Sequence, residues 1–585
     1  MKKNIFSTFA ISILLCLPSF ASAQNFEVGG IAYNVLSTSE NTVEVTSKLN
    51  STYHGNIKIP DTVVYNGVTY DVVALGERAF YSASLSGVTI PSSVTRIKYG
   101  CFMYANTPYT INVPASVTEI EQLAFSAYSL RNINVHEDNP NYRTIDGMLF
   151  SKDTATFVEC PIGKSGTITL PQNTTCIAPN AFSNCSGITT ISLNEGLRSI
   201  GSFAFRSCMS LTNMVIPASV SHIGINIFEF CYVLNNVNIA SGNTHYYMDG
   251  LMLYSINGDT LLSCHISTDS LFLPNTLRAV GGFGGNNSVR YVHIPDGVTA
   301  ILENAFNYST LGSIEMPSRM AFIDEYAFYG CESLNRVVMP DTLDRIGRGC
   351  FSYCAELESI DIPNGLRVIP METFHGCSLE VVNLGDDVEV IDTIAFAGCH
   401  LGALLFPPSL RVVRNYAFAS YGDAGIDQVI FSAPVDTLES YVFYLNSIDT
   451  LRLRNVVPPV STDEGCLTEA DVNSIIIPCG SLDAYLADDY WGQFADKYSE
   501  DCDGVEEAAE CKMVVYPNPA TDRLFVVGAT GCRYVEFVNF LGQTVLVRET
   551  ADSNVEIDVS QLDRGTYFLR MYYPDGVTTS KVVLQ

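Results

Sequence analysis

The chain has 585 residues, a formal net charge of −30, 47% hydrophobic residues and only 16% charged ones. With 32 basic residues against 62 acidic ones, the charge excludes nucleic acid as a partner, because phosphate binding needs clustered Lys and Arg. It also disfavours anionic membrane surfaces, while the apolar content suits a chain that buries much of itself. The first element is a leader: Lys2 and Lys3, an apolar run from Ile5 to Leu17, and Ala21-Ser22-Ala23 before Gln24. These predict a secretory signal peptide over residues 1–23, with an apolar run too short to span a bilayer. Leu15 stands before Cys16 where a lipoprotein signal wants a small residue, which favours simple cleavage. No later apolar run reaches spanning length, so no transmembrane anchor is expected.

Residues 24–79 precede an internal repeat and form its entry cap and first coil. The repeat itself occupies residues 80–453. Phenylalanine recurs at Phe80, Phe102, Phe125, then Phe182, Phe205, Phe228, then Phe283, Phe306, Phe328, Phe351, Phe374, Phe396, Phe418 and Phe443, in steps of 22 or 23 residues with a last step of 25. An aliphatic column lies five residues before the Phe, as at Ile97, Ile200 and Ile346. Pro91, Pro217 and Pro340 keep the same clock, and leucines such as Leu211 and Leu334 follow the Phe. One such unit cannot bury its own apolar face. Stacked units make columns of like residues and one continuous core, which predicts a solenoid of about 14 coils. The alternating, β-branched Leu-x-x-Val-x-Ile segment predicts a short strand, closed by Pro.

Two stretches break the clock. Between Phe125 and Phe182 the chain reads NPNYRTIDGMLFSKDTATFVECP, and between Phe228 and Phe283 it reads NTHYYMDGLMLYSINGDTLLSCH. Asp146-Gly147 matches Asp249-Gly250, and Cys160 matches Cys264. Asp-Gly between apolar runs is a hairpin signal, so each stretch is expected to be an inserted β-hairpin. Residues 454–498 close the solenoid, and the acidic run 499–512, with no base before Lys512, is expected to be a linker. Residues 513–585 show short β runs such as LFVVG and TYFLRMYY between Gly, Asp and Pro turns, which predicts a small Ig-like β-sandwich.

The repeat I-P-x-x-V-x-x-I-x-x-x-A-F-x-x-C-x-x-L-x-x-V resembles the BspA-type leucine-rich repeat of surface proteins from Bacteroides-like bacteria. NFEVGGIAYNVLSTSENTVEVTS and IIIPCGSLDAYLADDYWGQF resemble the opening and closing motifs of that group. VVYPNPATD, FLGQTV, DVSQLDRGTYFL and the final SKVVLQ resemble the C-terminal sorting domain of the type IX secretion system. Together these resemblances imply passage across the outer membrane through the type IX machinery, and a non-catalytic binding or adhesive role outside the cell.

Seven of the 18 cysteines sit three residues after the repeat Phe: Cys185, Cys208, Cys231, Cys331, Cys354, Cys377 and Cys399. In-register parallel neighbours keep Cβ atoms about 4.8 Å apart, wider than the roughly 3.8 Å of a disulfide, so the column is expected to hold small buried spacers. Cys466 with Cys479, and Cys502 with Cys511, are the pairs sequence proximity suggests. The histidines are scattered, GGFGGNN (Gly281–Asn287) keeps repeat register instead of forming a phosphate loop, and no acid pair stands out by spacing. No catalytic, cofactor-binding or metal residue is therefore singled out, no cofactor is expected, and no residue names the ligand. Asp-Thr/Ser followed by an aliphatic or Ala recurs, as at Asp61-Thr62, Asp153-Thr154, Asp341-Thr342 and Asp449-Thr450. It resembles an O-glycosylation sequon of Bacteroides-type bacteria, and it equally suits a turn before a strand. The expected function is binding of extracellular protein or matrix ligands, with a glycan-binding accessory role in nutrient acquisition as the alternative.

Overall fold

The computed structural model describes residues 26–502 except 50, 423 and 463, and residues 514–516, 520, 523–527, 532–539, 543–550, 555–562, 564–573 and 576–584. The leader, most of the acidic run and the Pro-Asn-Pro of the tail motif lie outside these. The chain forms two compact units, Met1–Ile256 with Leu262–His265, and Asn257–Leu261 with Ile266–Gln585.

In the first unit each coil carries two short strands where the sequence predicted one. The Leu-x-x-Val-x-Ile segments pair in parallel, as Thr110–Val113 does with Asn132–Val135, and Asn213–Ile216 with Asn236–Ile239. The x-Ile pairs form a second parallel ladder, as in Cys176–Ile177, Ser199–Ile200 and His222–Ile223. Between them the proline carbonyl accepts from the amide three residues on, Pro91 from Val94 and Pro217 from Val220. Proline thus ends one strand and turns the chain into the next. The Phe amide donates to a carbonyl of the following coil, Phe102 to Ala124 and Phe182 to Ala204. The rings stack in a file, with Phe80–Phe102 at 5.1 Å and Phe182–Phe205 at 5.5 Å. Tyr53 of the cap starts the file, 4.9 Å from Phe80.

The insertion after Phe125 is more integrated than an added hairpin. Tyr142–Ile145 and Met148–Ser151 pair antiparallel, and a third strand, Thr156–Glu159, runs parallel to Cys176–Ile177. That third strand takes the place of a coil strand and puts Phe157 into the file, 4.4 Å from Phe182. In the second insertion Tyr246–Asp249 and Met252–Ser255 form the matching hairpin of the first unit.

In the second unit the file runs from Phe283 through Phe306, Phe328, Phe351, Phe374, Phe396 and Phe418 to Phe443, with neighbouring rings 4.7 to 5.8 Å apart. Trp491 and Tyr485 close the stack. Both are fully buried, with Trp491 Nε1 donating to Pro459 O at 2.9 Å and Tyr485 Oη to Asn455 O at 3.0 Å. The acidic run begins later than its composition suggests. Tyr498–Asp501 is a strand parallel to Asp471–Pro478, and just past that ladder Cys479 and Cys502 form a disulfide. This corrects both suggested pairings, since Cys466 is a buried free thiol.

The C-terminal part has one antiparallel sheet of Val514–Tyr516, Arg523–Val527 and Val555–Asp558, and another of Tyr534–Asn539, Thr544–Glu549, Gly565–Tyr573 and Gly576–Leu584. Leu524, Val526, Phe537, Ile557 and Leu569 fill the space between them.

Candidate functional site

A coil has few positions free to differ. The residue two before the repeat Phe and the residue two after it sit in the left-handed backbone region, as at Tyr326 and Tyr353. In the second unit the later column alternates. Tyr308 and Tyr353 share it with Gly330, Gly376 and Gly398. A Cβ at Gly330 would lie 2.7 Å from the Tyr308 ring, and one at Gly376 2.8 Å from the Tyr353 ring. The tyrosine rings occupy the space that a side chain at the glycines of the next coil would need. Tyr353 is therefore a half-buried member of a column and not an isolated surface residue. It packs 5.4 Å from Tyr329 and 5.1 Å from His375. Burial and then the neighbouring Tyr353 push the Tyr329 hydroxyl up to about 12. Burial holds His375 below the usual imidazole range. This row is packed structure.

The first unit presents a more open row. Tyr81, Tyr104 and Tyr128 sit on successive turns at 5.6 and 5.7 Å between centroids, and the last two are well exposed. Its strand face has a distinct chemistry. The outward positions are Thr110 and Asn112, Asn132 and Asn134, Thr167 and Thr169, Thr190 and Ser192, Asn213 and Val215, and Asn236 and Asn238. None of these carries a charge, in a chain of net charge −30, and the nearest charged outward position is exposed Lys58 on the first strand of the face, paired with Thr89. Asn134 Nδ2 donates to Asn112 Oδ1 at 2.8 Å, which links the amides of two adjacent coils. Asn112, Asn134 and His136 line a shallow depression of about 290 Å³ together with Thr89 and Pro114.

Several groups capable of chemistry are tied up in structure. The cysteine column is buried, and six of its seven thiols donate to the Phe carbonyl of the preceding coil: Cys208 to Phe182, Cys231 to Phe205, Cys331 to Phe306, Cys354 to Phe328, Cys377 to Phe351 and Cys399 to Phe374, at 3.0 to 3.3 Å, while Cys185, next to the insertion, donates to Cys160 O at 3.6 Å. Burial pushes the Cys231 and Cys331 thiols up to about 12, far from a nucleophile's range. His265 is pushed down to about 4 by burial. Among the described residues the one group with metal-ligand proximity is Cys479, Glu500 and Cys502, and its sulfurs are spent in the disulfide. Of the Asp-Thr motifs, Thr154 is buried and hydrogen-bonded to Asp153 O, which leaves no room for a glycan there, whereas Thr62 and Thr342 are exposed.

The family description "BspA type Leucine rich repeat region" matches residues 50–156, 153–257, 255–379 and 367–485. The chain belongs to the BspA-type leucine-rich repeat family. Residues 514–585 match the secretion system C-terminal sorting domain, so this BspA-type protein is routed by the type IX system to the cell surface or the extracellular space. Among the described residues no helix is long and apolar enough to cross a membrane. No curated protein matches the chain significantly.

Among solved structures, the chain is similar to the pneumococcal vaccine antigen PcpA, at 19% identity over 67% of this chain and 94% of that one, with a TM-score of 0.34. A leucine-rich repeat protein from Bacteroides ovatus is 21% identical over 81% and 99%, with a TM-score of 0.33. A leucine-rich cell surface protein from Faecalibacterium prausnitzii is 22% identical over 66% and 93%, with a TM-score of 0.29.

Proposed function

We propose that this BspA-type repeat protein is a non-catalytic binder of extracellular protein or matrix ligands, displayed by its sorting domain. The observation that carries this reading is the run of uncharged outward positions, mostly Thr, Asn and Ser, on the first unit's strands between Thr110 and Ile239. A repeated fold holds these donors and acceptors at fixed spacing, so a ligand meets them with little ordering cost. A second reading, a glycan-binding accessory role, draws support from the open Tyr81–Tyr104–Tyr128 row, whose rings could stack on sugars.

The test is a screen of the purified full chain against immobilised matrix proteins and neutral polysaccharides, beside the Asn112→Asp/Asn134→Asp variant. Binding that the variant loses at least tenfold supports the reading. Binding that survives unchanged places the ligand elsewhere, and no binding to any panel member overturns it. Matrix against polysaccharide binding separates the two readings. In the native host, deletion of residues 513–585 is expected to leave the protein in the periplasm. Normal surface display of the truncated protein would contradict routing by the tail.

A further inference from the structure

Most outward strand positions of the second unit are polar or charged, as at Ser359 and Asp361, or Glu315 and Arg336. Three neighbouring strands depart from this. In Val381–Asn383 the outward partner of exposed Ser359 is Val381. In Ala403–Phe406 the outward residues are Ala403 and Leu405, and Leu405 pairs with Ile430 on the next strand. The inward positions between them, Val382, Leu404 and Val429, already fill the solenoid core. Yet Val381, Ala403 and Ile430 are 4%, 1% and 7% exposed, so something covers them from outside. That cover is the sorting domain. Phe525 packs against this cluster with Leu405. The strand Arg523–Val527 lies beside Val381–Asn383, and Val514–Tyr516 lies beside Ala403–Phe406.

The match is two-sided. On its own strand Phe525 alternates with Leu524 and Val526, which are fully buried inside the sandwich. Phe525 therefore points out of the sandwich, where a lone domain would show it to water. A strand reverses its faces at every residue, so neither domain needs these apolar residues for its own core. An outward aromatic on one domain meeting an outward aliphatic strip on the other is the composition of an interface centre.

We infer that the solenoid carries a built docking strip, Val381, Ala403, Leu405 and Ile430, for its own sorting domain, with Phe525 as the anchor. The tail is then more than an address. It masks an apolar strip that is uncovered only where the tail is removed, and it travels with the solenoid as a docked body.

Hydroxyl-radical footprinting of the full-length chain tests this, with exposed Phe272 and buried Phe351 as internal references. In the wild-type chain Phe525 and Ile430 are expected to be oxidised at least fivefold more slowly than Phe272. Leu405→Glu, or Phe525→Arg, should raise oxidation of the opposite partner severalfold while Phe351 stays protected. The Leu405→Glu/Phe525→Arg double variant should restore much of the protection through the opposite charges. Wild-type Phe525 and Ile430 reacting as fast as Phe272 would overturn the proposal. So would single variants that leave the partner's protection unchanged. If a variant also exposed Phe351, it would have unfolded, and the wild-type comparison alone would decide.

Discussion

The backbone amide of Phe125 donates to both carboxylate oxygens of Glu159, at 3.1 and 3.3 Å. In a regular coil that amide reaches a carbonyl of the next coil, as Phe102 reaches Ala124. At Phe125 the next coil is replaced by the inserted hairpin, and a side chain supplies the missing acceptor. Glu159 is buried, and burial pushes its carboxyl up to about 8 against the Phe125 hydrogen bond that lowers it.

Between the ordinary carboxyl value and about 8 the folded chain binds more protons at Glu159 than the unfolded chain does. The neutral acid's advantage is fully present at acidic pH and is lost as pH rises through about 8. Unfolding free energy of the first unit should fall across that window by up to about 5 kcal/mol, since each tenfold difference in proton affinity between the folded and unfolded chains is worth about 1.4 kcal/mol. Glu159→Gln keeps an acceptor for Phe125 and should flatten the dependence. Denaturant melts of both proteins between about pH 4.5 and 8.5 check it, and parallel curves would refute the assignment.

Phe351 is fully buried and stacked between Phe328 and Phe374 at 5.1 and 5.5 Å, with interplanar angles of 4° and 3°. Phe351→Ala should cost about 3–5 kcal/mol, because coils fixed by backbone ladders cannot collapse onto the cavity. In a stack with nearest-neighbour coupling the loss should split or broaden the unfolding transition. A single sharp transition with an unchanged midpoint would mean that the Phe file is not the core.

Tyr353 should not tolerate truncation as an isolated surface tyrosine would. Tyr353→Ala removes the ring that lies over Gly376 and is expected to cost about 1 kcal/mol or more. Gly376→Ala should also cost about 1–3 kcal/mol, since it forces a Cβ into the ring and strains a φ of +68°. Once the ring is gone only the backbone strain should remain. The double variant should therefore lose less than the sum of the two, and strict additivity in a melt series would show that the ring and the glycine are independent.

The thiol column makes a prediction about reactivity. The buried thiols of the column should resist a colorimetric disulfide reagent in the native protein and react fully in denaturant, because burial suppresses the thiolate. The Cys479–Cys502 link closes a separation of 23 residues, and Cys502→Ser should cost about 3 kcal/mol on loop-closure grounds, first felt as fraying of Tyr498–Asp501. Fast native labelling of the column would mean that the coils open readily.

The solenoid, its phase and its core are legible in the amino-acid sequence alone. A column of Phe at 22 or 23 residues has one economical solution, since each unit must bury its apolar face on its neighbours. The secretion route is equally local, written in contiguous motifs at the end of the chain. Pairings between residues with no shared period emerge only when the chain is folded. Glu159 sits 34 residues from Phe125, and its role exists because an insertion removes a coil's carbonyl. Cys502 finds Cys479 because Tyr498–Asp501 extends the stack past the point where composition turns acidic. Val381, Ala403 and Ile430 read as ordinary strand residues until the pleat sends them outward, where alternation alone cannot say what covers them. Periodicity records what every coil needs, whereas a single side chain turned toward a distant partner leaves no repeat to read.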